Sequence, residues 1–345
     1  MRRLGQILQV AFTYVGTIVG AGFASGQEIL QFFTRYGWPG SLSIALASVL
    51  FIWLGTRLML LGYDTGAESY EDLNRHLLGP RLGSAFSLLQ MGVLLGTSMV
   101  MVAGAGSLFH EQLGLHVQTG ILLTLVLGYV VLRRGMNGIL SINTVVVPFM
   151  LLYVTLIFVG TLPLPTAGNW LTQPADYPLL KTALAPLLYT AFNLSTAQAV
   201  LVPLGNAFAD RKVLLYGGVL GGLLVGLMLF AGHIALSARM PGIVQFEIPM
   251  AQLIDRFGPL VQLIYSVVIF GEIFTTVVAN VFGLSLQVKP RTRFSRPVIL
   301  LGILLLCYGG AQFGFSSLLS LLYPLFGVLS LGWIWKLMRR SSLTA

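Results

Sequence analysis

Apolar segments long enough to cross a bilayer recur along this chain of 345 residues. A membrane-spanning helix needs about 20 predominantly apolar residues. Only 9% of the residues are charged, against about 25% in a soluble domain, so a soluble globular class is excluded. The sequence predicts an all-α membrane protein, a single transmembrane domain over 1–345. Its ten transmembrane helices are predicted at 6–33, 38–63, 80–109, 117–133, 138–160, 179–204, 212–238, 258–287, 297–313 and 315–338.

The basic residues are distributed unevenly between the two sides of these spans. With ten spans, the two termini and alternate loops hold all of the 20 lysine and arginine residues except Arg35, Lys181, Arg239 and Arg256. The positive-inside rule then places the N- and C-termini in the cytoplasm. The net charge of +9 therefore reflects topology and an affinity for anionic lipid headgroups. We expect no nucleic-acid partner, and the sequence carries no signal for an oligomeric state.

Motifs for catalysis are absent from the sequence. It contains no Walker loop, no HExxH and no GxSxG accompanied by a triad. The single cysteine, Cys307, lies in an apolar run, which excludes an internal disulfide and a cysteine-built metal cluster. We therefore expect no enzyme activity and no resident cofactor.

The first predicted span contains more glycine than a continuous helix tolerates. Gly16, Gly20, Gly22 and Gly26 fall in it, and Glu28 follows. Each glycine inside a helix costs about 1 kcal/mol relative to alanine. A break in hydrocarbon exposes backbone groups that protein or a water-lined cavity must satisfy, so a break usually marks a site. The alternative is close helix packing, for which Gly16 and Gly20 have the spacing.

A second interruption is predicted in the sixth span, around 189–196, where polar side chains concentrate between Pro186 and Pro203. An ordinary kinked helix is the alternative. Because five is an odd number, a second set of five spans runs inverted relative to the first. We predict a first inverted repeat over 1–160 (helices 1–5) and a second over 179–340 (helices 6–10). Interrupted segments in corresponding positions of inverted halves indicate a transporter binding site.

These residues carry a family resemblance. The sequence GTIVGAG, starting at Gly16, resembles the unwound first helix of the amino acid–polyamine–cation (APC) superfamily, which shares the LeuT fold. The longer GTIVGAGFASGQE, with FGEIFTTVVANVFG at 270–283, is similar to bacterial membrane proteins of the YkvI type. The resemblance implies a 5+5 inverted repeat with broken helices 1 and 6. It also implies a multi-pass protein in the lipid bilayer of the bacterial inner (plasma) membrane.

The resemblance further implies a substrate site between the two breaks. In the LeuT fold, amides at the first break bind the substrate's carboxylate, and the second half-helix directs its positive dipole end at that group. The sixth helix supplies the opposite wall. Carried onto this sequence, the substrate-binding residues are Gly20, Ala21, Gly22, Tyr189, Phe192, Asn193 and Ser195.

A sodium site is also implied by the resemblance. Many members bind Na⁺ between carbonyls of the first helix and hydroxyls of the eighth. The corresponding residues here are Gly16, Val19, Glu272, Thr275 and Thr276. Oxygen ligands alone suit a hard cation such as Na⁺. Some relatives form another sodium site with an asparagine where this chain has Phe23, so we expect at most one sodium ion.

Two acidic residues, Glu28 and Glu272, fall within predicted spans. Counting at ~1.5 Å per residue from the start of its span puts Glu272 near the bilayer midplane. An ionised side chain there costs at least ~2.5 kcal/mol, so it lies in a cavity, pairs or takes up a proton. Glu272, Thr276 and Asn280 recur at helical spacing and form one polar stripe. Each acid either couples protons, pairs with a cationic substrate amine, or donates one hydrogen bond between helices.

Other polar residues in the spans have weaker claims to function. Gln90 and Thr97 either line the pocket or hold helices together. Asn143 either lies by an exit or caps its helix, and His233 is either a packed hydrogen-bonding residue or a proton relay. Two connections are predicted to be helical: 66–78 as a cytoplasmic surface helix, and 247–257 as a short helix at the outer mouth.

The sequence as a whole predicts a secondary active transporter that works by alternating access. Its small-molecule substrate is an amino acid or a related zwitterion or amine, coupled to Na⁺ or H⁺. The alternative is a non-transporting membrane sensor or assembly factor that retains the transporter fold, for which we expect a closed, waterless centre. A channel is disfavoured, because two offset breaks form a pocket more naturally than a continuous pore.

Overall fold

The computed structural model describes residues 2–174, 177–246, 249–254, 258–314, 326 and 329–339, and these are predominantly helical. Short 3₁₀ turns and one π-helical segment, Phe51–Gly55, interrupt or join the α-helices. The helices before the last are α1 (Arg2–Ile18), α2 (Ala21–Ala24), α3 (Gln27–Phe32), α4 (Trp38–Leu50), α5 (Thr56–Thr65), α6 (Tyr70–Leu78), α7 (Pro80–Leu113), α8 (Val117–Leu132), α9 (Met136–Thr161), α10 (Asn169–Thr172), α11 (Leu179–Ala207), α12 (Arg211–Ser237), α13 (Pro249–Ile254), α14 (Pro259–Val288) and α15 (Arg296–Ala311). A C-terminal helical segment covers 329–339.

The helices coincide with the predicted spans as far as residue 313. Six described segments are long and apolar enough to cross a membrane: Trp38–Thr65, Pro80–His110, Met136–Thr161, Leu180–Ala207, Arg211–Ser237 and Pro259–Arg291. Two shorter apolar helices are α8 and α15. The chain is therefore a multi-pass helical membrane protein. Most of the predicted span 315–338 lies outside the described residues, and the ten-helix inverted repeat stays a prediction.

The predicted break in the first helix is confirmed. The last hydrogen bond of α1 runs from the Val19 amide to the Val15 carbonyl (2.8 Å), and neither Val19 nor Gly20 is helical. The Ala24 amide then donates to the Gly20 carbonyl (2.9 Å), which starts the new helical path of α2. A second turn follows at Gly26, whose φ of 85° lies in the left-handed region that favours glycine.

The predicted break in the sixth helix is wrong, because α11 is one continuous helix. Its polar side chains bond to carbonyls of their own helix. The Asn193 side-chain amide donates to the Tyr189 carbonyl (3.0 Å), and the Thr196 hydroxyl donates to the Asn193 carbonyl (2.9 Å). Side chains that are satisfied within the helix give it no reason to open.

A neighbouring helix compensates for the proline inside α11. Pro186 has no amide hydrogen, so the Thr182 carbonyl lacks its helical donor. The Ser43 hydroxyl of α4 donates to that carbonyl at 2.9 Å. The helix can therefore pass through the proline without leaving a buried carbonyl unpaired.

Small residues let α1 and α12 pack closely. A Cβ on Gly217 would lie 2.5 Å from Cγ1 of Val10, and a Cβ on Gly221 would lie 2.6 Å from Cδ1 of Tyr14. Real side chains do not approach so closely, so only glycine fits at these two positions of α12. This contact fixes the N-terminal half of the broken helix to α12.

Tyr14 also accounts for the π-helical segment between α4 and α5. Its hydroxyl donates to the Phe51 carbonyl at 2.7 Å. A Cβ on Gly55 would lie only 1.8 Å from the same hydroxyl oxygen. The tyrosine thus inserts into the helix and takes the carbonyl that the Gly55 amide would otherwise bond, which widens the turn.

The predicted helix at 66–78 is confirmed as α6. It begins with a capping box, in which the Asp72 carboxylate accepts from the Ser69 amide (2.9 Å) and the Ser69 hydroxyl accepts from the Asp72 amide (3.3 Å). Tyr70, Leu73 and Leu77 form its buried face, which packs on α7. The helix is therefore amphipathic, as its sequence predicts.

The predicted short helix within 247–257 is confirmed in its described part as α13. It contacts the far end of the broken first helix. The Met250 amide donates to the Ser25 carbonyl (3.0 Å), and the Gln27 side chain donates to the Phe246 carbonyl (2.8 Å). The α13 connection therefore holds the segment that follows the break.

Candidate functional site

The break in the first helix faces a small cavity lined by both polar and apolar side chains. Its volume is about 30 Å³, which holds about one water molecule. The walls come from α1, α3, α7, α11 and α14, together with the break itself. The lining residues are Thr17, Ile18, Gly20, Glu28, Thr97, Met101, Phe192, Asn193, Thr196, Thr276 and Asn280.

Glu28 is the acidic residue in this lining. Its side chain turns back towards α2, so that a Cβ on Gly22 would lie 2.3 Å from Oε1. The other carboxyl oxygen, Oε2, accepts a hydrogen bond from the Tyr189 hydroxyl at 3.1 Å. The residue is 9% exposed. Glu28 therefore links the break to α11 and presents a carboxyl group to the cavity.

The structure brings most of the predicted substrate residues around this cavity. Gly20, Phe192 and Asn193 line it directly. Ala21 begins α2 directly after Gly20, and Tyr189 reaches the site through Glu28. The α11 residues Tyr189, Phe192 and Asn193 meet at the site although α11 is unbroken, because they recur at helical spacing on one face of that helix.

Ser195 faces away from the cavity. Its hydroxyl lies 2.7 Å from the hydroxyl of Ser330 in the C-terminal helical segment. The Gln90 side chain donates to the Ser195 carbonyl at 2.7 Å. Ser195 and Gln90 therefore join helices to one another, whereas the next residue, Thr196, lines the cavity.

The predicted cation ligands of the eighth span lie together on α14. The hydroxyls of Thr275 and Thr276 both donate to the Glu272 carbonyl, at 3.0 and 2.9 Å. Thr276 also faces the break, because a Cβ on Gly20 would lie 2.9 Å from its hydroxyl oxygen. Oxygen atoms of α14 therefore adjoin the first-helix break, as a hard cation would require.

The Glu272 side chain is wholly buried. Within the ranges that the structure describes, neither of its carboxyl oxygens has a hydrogen-bond partner. A buried carboxyl group without a partner is costly, and within a membrane it is a candidate site for a proton or a cation. In the same ranges, no three His, Cys, Asp or Glu side chains come together as a transition-metal site.

The predicted ligands of the first helix, Gly16 and Val19, lie at the end of α1. In the described part of the chain, no backbone hydrogen bond joins the Gly20 amide to the Gly16 carbonyl. The Gly16 carbonyl is therefore left without its helical donor by the break. The α-carbon of Gly16 lies against Asn143 of α9, because a Cβ on Gly16 would be 2.1 Å from Oδ1 of Asn143.

Met101 is a cavity residue that the sequence interpretation missed. It lies one helical turn after Thr97 on α7, so the i, i+4 spacing was an available signal. A methionine in an apolar span carries no polar mark, however, and Met residues are common in membrane cores. The cavity identifies it only because the structure fixes how α7 is rotated.

His233 belongs to a separate hydrogen-bonded cluster on α12. The hydroxyls of Thr34 and Ser41 lie 3.0 Å from Nδ1 and Nε2, respectively. Ser41 donates its own proton to the Trp170 carbonyl (3.0 Å), so Nε2 of His233 carries the hydrogen and Nδ1 accepts from Thr34. His233 is the packed hydrogen-bonding residue of the two alternatives, and it joins α12 to α4 and α10.

A second polar cluster holds α6 to the rest of the protein. The Trp333 indole donates to Oδ1 of Asn74 (2.7 Å), and the Asn74 side chain donates to the Ser87 hydroxyl (3.0 Å). Glu71 forms ion pairs with Arg75 (2.8 Å) and with Arg291, which follows α14. The cluster therefore connects α6, α7, α14 and the C-terminal helical segment.

Comparison with known proteins identifies two relatives along nearly the full chain. The chain is 39% identical over 337 residues to an uncharacterized membrane protein, YkvI, of Bacillus subtilis (strain 168), covering 97% of this chain and 96% of that protein. It is 30% identical over 323 residues to the uncharacterized protein YyaD of the same strain, covering 92% and 91%. No protein-family model matches the chain.

Solved membrane transporters share the fold. A mutant of the manganese transporter of Eremococcus coleocola superposes with a TM-score of 0.69 at 14% identity, covering 97% of this chain and 78% of that one. A Na⁺-coupled sialic acid symporter in a substrate-bound, outward-open state gives a TM-score of 0.68 at 12% identity, covering 93% and 76%. At such low identity the likeness defines the fold alone.

Proposed function

Because the chain belongs to the family of the membrane protein YkvI and has the fold of solved transporters, we propose that it is a secondary active transporter. It moves a small solute, an amino acid or a related zwitterion or amine, by alternating access. A gradient of Na⁺ or H⁺ drives the cycle. The observation that carries this proposal is the cavity at the first-helix break, where Gly20, Glu28 and Thr276 meet.

The physical argument rests on the cost of the break. A helix interrupted inside a membrane loses backbone hydrogen bonds, and this is tolerated where the backbone lines a cavity or is buried in protein. Here the interruption adjoins a cavity that also receives a carboxyl group from Glu28 and an amide from Asn193. Close packing of α1 alone gives no reason for these polar groups to converge.

The small volume of the cavity fits the closed form of an alternating-access cycle. Binding sites for small molecules have volumes of about 300–1,000 Å³, whereas this cavity has about 30 Å³. We interpret the structure as a closed form. The helices that meet at Gly20 and Thr276 separate when a solute enters, and this separation is the motion that alternating access requires.

We assign ion coupling to the oxygen atoms where α1 meets α14. For Na⁺, the free carbonyl at the end of α1 and the paired hydroxyls of α14 offer neutral ligands, and the buried Glu272 carboxyl offers a charge. For H⁺, Glu272 alone takes up and releases the proton. The residues assigned to coupling are Gly16, Val19, Glu272, Thr275 and Thr276.

The topology that we propose is the LeuT fold of the APC superfamily, with repeats over 1–160 and 179–340. Both termini face the cytoplasm of the bacterial inner membrane. The helix boundaries and the asymmetry of the basic residues support this arrangement. The continuous α11 is a departure from the pattern, and it leaves the first helix as the broken element of the site.

A non-transporting sensor or assembly factor is the second candidate function. The small central cavity favours it, because a protein that binds no solute has no need for a larger site. For such a protein, no small solute changes the stability, and no ion gradient drives uptake. Proteoliposome assays therefore separate the two candidates.

Thermal stability of the purified protein tests solute and ion together. Unfolding is followed with a panel of amino acids and amines, in NaCl or KCl of equal ionic strength, at mildly acidic and neutral pH. A ligand at ~100 times its Kd adds ~2.7 kcal/mol of stability. A solute that stabilises only with Na⁺ supports sodium coupling. One that stabilises in a pH-dependent manner without Na⁺ supports proton coupling.

Variants assign the coupling to residues. We expect Glu272→Gln to abolish proton-driven uptake and Thr276→Ala to weaken sodium-driven uptake. Thr124→Ala is the control, because Thr124 is a buried threonine of α8 whose hydroxyl donates to the Gly120 carbonyl of its own helix (2.7 Å). Unchanged ion dependence in Glu272→Gln and Thr276→Ala would show that the coupling assignment is wrong.

A further inference from the structure

Glu28 places its carboxyl group at the break in the first helix. An amino acid substrate would place its own carboxylate at the same position. A Cβ on Gly22 would lie 2.3 Å from Oε1 of Glu28 and 2.8 Å from its carboxyl carbon. Gly22 is one of the residues that the family resemblance assigns to the substrate carboxylate. Two carboxylates at this position repel one another, and burial strengthens the repulsion. The space beside Gly22 is therefore unsuited to a second anion.

The position of the Glu28 carboxyl is fixed by an aromatic cluster. Its Oε2 accepts from the Tyr189 hydroxyl at 3.1 Å. The Tyr189 ring is fully buried, and the rings of Phe32, Phe33 and Phe51 lie 5.1–5.9 Å from it between centroids. A side chain packed in this way has one orientation. Glu28 is therefore held against Gly22 and cannot readily swing aside for a substrate carboxylate.

The charge of Glu28 has no cationic counterpart in the described ranges. The ion pairs found there involve Asp64, Glu71 and Asp210. Around Glu28, the cavity offers hydroxyl groups, one aromatic ring and two side-chain amides, with no lysine, arginine or histidine. A cation that enters the cavity would therefore be the partner of Glu28, and Phe192 offers it an aromatic face.

We propose that Glu28 is the counter-ion for an ammonium group of the substrate and that the substrate is an organic amine without a carboxylate. The inference rests on the proposed transport function and narrows its class of solute. Glu28 supplies from the protein the negative charge that an amino acid would carry itself. The ammonium group enters the 30 Å³ cavity, where oxygen atoms of Asn193 and Thr276 accept its remaining hydrogens.

The test compares each amino acid with the amine formed by its decarboxylation. The probes are phenylalanine and 2-phenylethylamine, leucine and 3-methylbutylamine, and lysine and cadaverine. Kd values and unfolding temperatures are measured for the full chain in lipid nanodiscs. We expect at least one amine to bind about tenfold or more tightly than its parent amino acid, because only the amino acid brings a second carboxylate to Gly22.

Two variants link this preference to Glu28. We expect Glu28→Gln to weaken binding of the amine by about 30-fold, since a charged partner is lost. Tyr189→Phe retains the carboxyl group but removes the hydrogen bond that orients it, so we expect the preference for the amine to fall less than in Glu28→Gln. Glu68→Gln is the matched control, because Glu68 is an exposed acid before α6. We expect this variant to bind the amine with the affinity of the wild type.

Three results would overturn the inference. The first is that solutes bind but no amine binds more tightly than its parent amino acid. The second is that the affinity of the preferred amine is unchanged in Glu28→Gln. In both cases a solute binds, so the proposed transport function still stands. The third is the absence of binding by every amine, after which ion-driven uptake of the wider solute panel decides the transport function by itself.

Discussion

The hydrogen bond from Ser43 to the Thr182 carbonyl predicts a measurable loss of stability in Ser43→Ala. Ser43 is 5% exposed, and its hydroxyl donates at 2.9 Å to the carbonyl that Pro186 leaves without a helical donor. A buried carbonyl without a partner costs about 1–3 kcal/mol. For a chain of this size, 1 kcal/mol corresponds to about 2 °C in the melting temperature. We therefore expect Tm to fall by about 2–6 °C.

A double-mutant cycle shows whether Pro186 is the reason that Ser43→Ala loses stability. Pro186→Ala restores an amide hydrogen that can bond the Thr182 carbonyl. In that background, we expect Ser43→Ala to cost less than about 0.5 kcal/mol, so the two changes are coupled. Ser98→Ala is the control. Ser98 is buried like Ser43, but its hydroxyl donates to the Leu94 carbonyl of its own helix, which also accepts the helical hydrogen bond of the Ser98 amide.

The measurements are thermal unfolding in detergent and hydrogen exchange of the α11 peptide around Pro186. Ser43→Ala in the wild-type background should increase exchange near the proline. If Ser43→Ala lost the same stability with and without Pro186, the Ser43 hydroxyl would not be replacing the helical donor of the Thr182 carbonyl. Our explanation for the continuity of α11 would then be incorrect.

Three further substitutions test other close contacts. Gly20→Ala puts a methyl group 2.9 Å from the Thr276 hydroxyl, so we expect reduced uptake at unchanged expression, with partial recovery when Thr276→Ala is added. Asn74→Ala removes the acceptor of the Trp333 indole, and we expect a loss of about 1–3 kcal/mol in unfolding experiments and altered tryptophan fluorescence. Gly55→Ala places a methyl group 1.8 Å from the hydroxyl that inserts into the π-helical segment; a wild-type Tm would refute that packing.

The sequence predicted the spans and the first break because both depend on local chemistry. Long apolar runs require helices in a membrane, and the glycines between Gly16 and Gly26 weaken one helix at its middle. The same reasoning failed for 189–196. The polar side chains there bond to their own helix, and the donor for the carbonyl freed by Pro186 comes from Ser43, far away in the sequence. Contacts of that kind cannot be read from composition.

The residues that line the cavity were predicted in part, for a related reason. Gly20, Asn193 and Thr276 were identifiable as polar or small residues within spans, and the structure brings them to one cavity. Helix rotation decides which neighbours face it. Ser195 and Thr196 are adjacent in sequence, yet only Thr196 lines the cavity. Met101 gave no polar signal at all. Whether Met101 lines the cavity depends on how α7 is oriented against α14.

The two halves of the first helix pack against different stretches of α12. The N-terminal half packs against Gly217 and Gly221. The half after the break packs beside Gly232, where a Cβ would lie 2.6 Å from Ile29, and its Ser25 carbonyl accepts from the Met250 amide of α13. Val19 and Gly20, which are not helical, lie between these two sets of contacts. Because Gly20 also lines the cavity, a shift of one set of contacts relative to the other would change the shape of the central site.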